Sequence, residues 1–150
     1  MIRIALIGDI GSGKTHVSKK FNYPVFNADN EVSKLYKKNI KCFNKFKKIF
    51  PKYITKFPIE KKQLTKVILA NPSNLKKIVK IIHPEVQYCM NKFLKKNKNS
   101  KIVVLDIPLL LENKINKKED ILVYVQSKKS LILKNLKKRK NFNEKLLIKF

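Results

Sequence analysis

Residues 8–15 read GDIGSGKT and lie between two segments of opposite character. Before them, Ile2, Ile4, Ala5, Leu6 and Ile7 form a short apolar run; after them, Lys14 to Phe21 has a helical pattern that stops before Pro24. An apolar run closed by glycine and followed by a helix reads as a buried parallel strand. The pattern G-x-x-x-x-G-K-[ST] is filled by Gly8, Gly13, Lys14 and Thr15 in that strand-to-helix setting. Gly11 and Gly13 let the backbone curl so that successive N–H groups face one cavity. That concavity and the positive end of the following helix suit phosphate oxygens. Gly11, Ser12, Gly13, Lys14, Thr15 and His16 are therefore expected to bind the phosphates of a nucleoside triphosphate. Lys14 reaches the β- and γ-phosphates and Thr15 offers its hydroxyl to Mg²⁺. The plainer alternative is a chance glycine-rich turn.

The rest of the chain extends this start into an α/β plan with a parallel sheet. Val25 and Phe26 read as a second strand, Ile102 to Leu105 as a third ending at Asp106, and Ile121 to Val125 as a fourth. A Lys-rich helix is expected from about Ser127 to Lys140. Between the second and third strands, from about Glu31 to Lys98, the pattern is mainly helical. Tyr36, Ile40, Phe43, Ile49 and Phe50 begin an apolar stripe there. Leu75, Ile78, Val79, Ile82, Val86, Cys89, Met90 and Phe93 continue with 3/4 spacing, and Pro84 should start or kink a helix. This block is too long for a simple crossover and is the natural place for a substrate-binding insertion. The expected division is a core of residues 1–30 and 100–136, an insertion of residues 31–99, and a separate segment, 137–150.

Composition narrows the class. Of 150 residues, 43% are hydrophobic and 9% aromatic, which supports a folded chain. No apolar run approaches the roughly 20 residues needed to span a bilayer, and the N-terminus lacks the cleavage site of a secretory signal. Cys42 and Cys89 have no CxxC spacing or nearby His partner, so ordinary reduced thiols in a cytoplasmic protein are expected. The formal charge of +26 invites a nucleic-acid partner. However, Arg3 and Arg139 are the only arginines, and the lysines are spread over every segment. A compositional drift toward lysine and asparagine explains that pattern better than an evolved binding face.

Four further residues stand where chemistry is expected. Asp29 follows the second strand, at the end of a parallel sheet where ligands bind. It can take a proton from a substrate hydroxyl, or simply cap the next helix. Asp106 ends the third strand, where a carboxylate can hold Mg²⁺ or its water; the alternative is a turn residue before Pro108. His83 could bind phosphate or be an ordinary histidine. Arg139 could lie over a transferring phosphate or end a solvated helix.

Taken together, these segments resemble the dephospho-coenzyme A kinase family over nearly the whole chain. IALIGDIGSGKTHVSKKF is similar to its phosphate loop and first helix, and VFNADNEV to its D-A-D segment, with Asp29 at the catalytic aspartate. ANPSNLKKIVKIIHPEV matches its N-P and H-P helical region, IVVLDIPLLLEN its D-I-P-L-L-x-E motif, and LKKRKNFNEK the start of its lid, with Arg139 at a family arginine. The departures are Asp9 for a glycine, Asn27 for the first aspartate of D-A-D, Lys61 for an arginine, and Asn135 for a basic residue. The family ordinarily continues beyond the position of Phe150, so a fragment or a truncated form is expected, with 137–150 a partial lid. The resemblance implies transfer of the ATP γ-phosphate to the ribose 3′-hydroxyl of dephospho-CoA. Asp29, Lys14 and Arg139 would be catalytic, Thr15 and Asp106 would hold Mg²⁺, and His83, Asp106 and Lys61 would contact substrate. The competing expectations are another small-molecule kinase of the same loop class and an ATP-responsive nucleic-acid-binding module.

Overall fold

Every side chain of the first strand is apolar except that of Arg3, which suits an interior position. In the computed structural model, which describes residues 1–108 and 116–138, that strand is β1 (Ile2–Ile7). It pairs in parallel with β3 (Ile102–Asp106) on one side and β4 (Ile121–Tyr124) on the other, and β2 (Val25–Asn27) pairs in parallel with β3. The order is β2-β3-β1-β4. Ala5, Leu6, Val103, Val104 and Leu105 are fully buried, as expected of central parallel strands covered on both faces. Each of the larger ones stabilises the sheet by roughly 1.5–3 kcal/mol. Ile4, Leu6, Val104 and Val125 form a cluster against which Val17 and Phe21 pack, seating α1 (Lys14–Lys20) on one face. The fourth strand leads into α6 (Lys129–Lys137).

The parallel α/β expectation is met, with shifted boundaries. Asn27 extends β2 by one residue because it stands in register with Asp106. Strand β4 ends at Tyr124, although the Val125 N–H still donates to Ile7 O at 2.8 Å. The last helix starts at Lys129, and its expected end at Lys140 lies outside the described residues. So do Arg139, the rest of 139–150, and the Leu109 to Glu112 part of the D-I-P-L-L-x-E motif.

The chain divides into two compact units: residues 1–27 with the described part from 97 onward, and residues 28–96. The second unit is helical: α2 (Ala28–Lys38), α3 (Ile40–Ile49), α4 (Lys61–Ala70) and α5 (Asn74–Lys96). The Asn39 side chain caps α3 by accepting from Cys42 N at 2.9 Å, and Glu60 with Gln63 forms a capping box on α4. Phe43, Phe46, Phe50, Ile78, Ile82, Val86 and Met90 supply much of the core. Ile40, Ile49 and Val79 of the expected stripes are exposed, and Cys42 and Phe46 are buried in their place. The helical phase of α3 decides this, since residues 42, 43 and 46 share one face. Pro84 neither starts nor ends a helix: α5 runs through it for 23 residues. The carbonyl that loses its partner there belongs to Lys80, an exposed residue at the solvent side. Among the described residues no helix is long and apolar enough to cross a membrane.

Candidate phosphate-binding site

The site grows from the end of β1. All three glycines of the loop have positive φ: 136° at Gly8, 89° at Gly11 and 97° at Gly13. At Gly8 space is limiting as well, because a Cβ would lie 2.4 Å from the main-chain oxygen of Val125. Gly13 is the N-cap of α1, and the N–H groups of His16 and Val17 turn back to its carbonyl at 2.8 and 3.0 Å. Lys14 Nζ donates to the carbonyls of Gly8 and Asp9 at 2.7 and 2.8 Å. The ammonium thus lies over the loop, bonded to the main chain of Asp9. The Asp9 side chain itself is exposed, so solvent and salt screen its charge. Ser12 is buried, and its Oγ has no hydrogen-bond partner among the described residues.

Register brings the second part of the site to the loop. Asn27 stands beside Asp106, and Asp106 beside Leu6, so the ends of three strands lie level. Asp106 is buried, and its Oδ2 accepts two hydrogen bonds: from Thr15 Oγ1 at 2.7 Å and from Asn27 Nδ2 at 2.6 Å. Asp106 is therefore bound to the loop helix and to β2, rather than acting as a turn cap. The Thr15 hydroxyl gives its proton to Asp106 and keeps its lone pairs for another partner. In the sequence Asn27 stands out only as a departure from the family pattern. Its contact follows from pairing between strands about 80 residues apart, which no local pattern reveals.

The remaining expected residues are placed as follows. His16 is exposed in the first turn of α1. Asp29 is the exposed second residue of α2 and stands with Glu31 in its first turn. His83 is half-buried in α5, with Nε2 buried and without a hydrogen-bond partner among the described residues. Lys61 is the exposed first residue of α4. Gly11, Ser12, Gly13, Lys14, Thr15 and Asp106 come together in the first unit, whereas Asp29, Lys61 and His83 belong to the second.

The charged surroundings also bear on the other expectations. Arg3 is held inside the first unit by Asp120, with Nη2–Oδ2 and Nε–Oδ1 both at 2.9 Å. That arginine is a structural residue and not part of a basic binding face. Burial, and then the charge of Glu85, push the Cys42 thiol up to about 11, partly opposed by Lys45. Burial likewise raises Cys89. Both are protonated thiols at neutral pH, the form of low nucleophilicity.

Comparison with known proteins identifies the family and the fold. A family model for dephospho-CoA kinase matches residues 2–148. The chain is 34% identical over 147 residues to the dephospho-CoA kinase of Bartonella henselae, covering 95% of this chain and 75% of the relative. It is 33% identical over 150 residues to that of Bacillus anthracis, covering 94% and 74%. For that of Zymomonas mobilis the identity is 31% over 130 residues, covering 85% of this chain. The matched part spans 66% of the Zymomonas relative's length. A crystal structure of a Thermus thermophilus protein superimposes with a TM-score of 0.78 at 22% identity, covering 99% of this chain and 77% of that one, which supports the fold. With a family match over almost its full length and a loop built to hold phosphate, this chain belongs to the dephospho-CoA kinase family.

Proposed function

We propose that the chain, as a cytoplasmic enzyme, transfers the γ-phosphate of ATP to the ribose 3′-hydroxyl of dephospho-CoA, giving coenzyme A. The observation that carries this reading is the Thr15–Asp106 hydrogen bond beside the glycine loop, in a chain of this family. Lys14 moves its ammonium from the Gly8 and Asp9 carbonyls to the β- and γ-phosphates, exchanging neutral acceptors for charged ones. The loop amides hold the phosphates in place, so that little reorganisation is needed as charge develops.

The donor chemistry of Thr15 and Asp106 fits Mg²⁺, which favours hard oxygen ligands and keeps several waters and phosphate oxygens. Among the described residues no group of three or more His, Cys, Asp or Glu could hold a metal without a substrate's help. Thr15 and Asp106 would hold the ion, and it would supply positive charge against the phosphates. Asp106 orients the Thr15 hydroxyl, and Asn27 orients Asp106.

Asp29 accepts the proton of the acceptor hydroxyl, and Arg139 stabilises charge on the phosphoryl group in flight. Residues 31–99 serve as the substrate-binding insertion, with His83 and Lys61 toward the anionic acceptor, and residues 137–150 as part of a lid. Incubation with ATP and dephospho-CoA, AMP, uridine or shikimate, with products read by mass spectrometry, tests the reading. Coenzyme A should form, and Asp29→Asn should lower kcat. Turnover of another acceptor with none of dephospho-CoA would sink it.

A further inference from the structure

The phosphate loop is gripped from outside by the chain segment that follows β4. Asn135, on α6, donates from Nδ2 to the Gly11 carbonyl at 3.0 Å. Ser127, between β4 and α6, donates from Oγ to the next carbonyl, that of Ser12, at 2.8 Å. Buried Leu136 closes the same face. A Cβ on Gly11 would lie 3.0 Å from Leu136 Cγ and 3.3 Å from Ile132 Cγ2, so the loop rests directly on α6. The two donors stand 124 and 115 residues from their acceptors, so the loop's shape depends on a distant segment.

Peptide planarity makes these contacts consequential. In a trans peptide the carbonyl of one residue and the N–H of the next point in opposite directions. With the Gly11 carbonyl turned to Asn135, the Ser12 N–H points away and donates to Asp9 O at 3.1 Å, closing the turn of the loop. With the Ser12 carbonyl turned to Ser127, the Gly13 N–H is directed to the opposite side. A rotated Ser12–Gly13 peptide would instead present an oxygen where an anion must sit.

We propose that Ser127 and Asn135 are positioning residues of the phosphate loop. They anchor two successive carbonyls outward: Asn135 keeps the Ser12 N–H in the turn that closes the loop, and Ser127 keeps the Gly13 N–H aimed at the phosphate side when ATP arrives. Asn135 thereby has a physical role at a position where the family resemblance leads one to expect a basic residue. Its short neutral amide reaches a carbonyl without bringing charge to the loop's outer face. The proposal rests on the kinase reading for its ligand, and it assigns neither residue a contact with ATP.

The test is calorimetric titration of ATP into the full chain without acceptor, beside steady-state kinetics. Ser127→Ala and Asn135→Ala should each weaken ATP binding about fivefold, the size of one net hydrogen bond. The double variant should be weaker than either. Ser127→Thr, which keeps the hydroxyl, should bind as the wild type does, and Asn135→Asp, which loses the donor, should not. KM for ATP should rise while KM for dephospho-CoA stays unchanged. A folded double variant that binds ATP with wild-type affinity overturns the proposal while leaving the kinase reading intact. An equal rise in both KM values, or a failure of Ser127→Thr to restore binding, overturns it as well by showing general loosening. A wild-type chain that binds no ATP overturns the proposal and the kinase reading together.

Discussion

Replacing Asn27 by aspartate reverses the electrostatics around Asp106. The Asn27 amide lies 2.6 Å from Asp106 Oδ2, which also accepts the Thr15 hydroxyl at 2.7 Å, and Asp106 is only 3% exposed. The substitution removes a donor to a buried carboxylate, a bond of about 1.5–3 kcal/mol when one partner is charged. It also places a second negative charge close by. At about 4 Å and an effective dielectric of about 20, that repulsion is ~4 kcal/mol. Residue 27 is half-buried, so solvent relaxes part of the repulsion. A net loss of about 3–5 kcal/mol is expected in the absence of divalent cation. The variant has two carboxylates and a hydroxyl in one place, a better oxygen donor set for Mg²⁺, so excess magnesium should restore most of the loss. Urea denaturation of wild type and Asn27→Asp, each with chelator and with excess magnesium chloride, measures both effects. An Asn27→Asp chain as stable as wild type in chelator, or a loss that magnesium leaves unchanged, would refute the reasoning.

Other consequences can be checked with simple assays. Lys14→Met should lower the rate of ATP-dependent phosphorylation about 10²- to 10³-fold, as loss of a charge-stabilising donor does, while thermal unfolding stays near wild type. Its bonds to the Gly8 and Asp9 carbonyls end on neutral acceptors, the second of them exposed, so folding loses little. Arg3→Ala leaves the Asp120 carboxylate, whose side chain is 1% exposed, without its cationic partner, although the Lys117 N–H still donates to it at 2.8 Å. The urea midpoint should fall by the equivalent of about 3–5 kcal/mol. For Cys42, the folded thiol titrates at about 11 instead of 9, so between these values the unfolded chain binds fewer protons than the folded one. That part of the stability is complete below pH 9 and is lost as pH rises toward 11. Measured between pH 9 and 10, below the range where the raised Tyr36 titrates, Cys42→Ala should show a flatter decline than wild type.

The nucleic-acid alternative also looks different once the chain is folded. Arginine is the usual bidentate reader of phosphates and bases, and Arg3 makes its fork to Asp120 instead. The high charge is still able to attract anions over a Debye length, which is a weaker and less selective effect.

By itself, the sequence determined the strand, the glycine loop, the helix after it and the parallel α/β plan. These depend on periodicity and on the φ values open only to glycine, both of which are local and written in the order of residues. The D-A-D-like, H-P and D-I-P-L-L-x-E segments also identified the family, because their residue types and spacing are specific. Tertiary structure alone decided which of these residues meet. Register between β2 and β3 set Asn27 beside Asp106, and the packing of α1 brought Thr15 to the same oxygen. The fold likewise placed Ser127 and Asn135 on the loop carbonyls and bound Arg3 to Asp120. Those contacts join residues 79 to 124 positions apart, and a hydrogen bond between two polar side chains leaves no periodic trace. The phosphate loop was legible because glycine geometry is a local demand; its supports were not, because they come from strands and helices that meet only after folding.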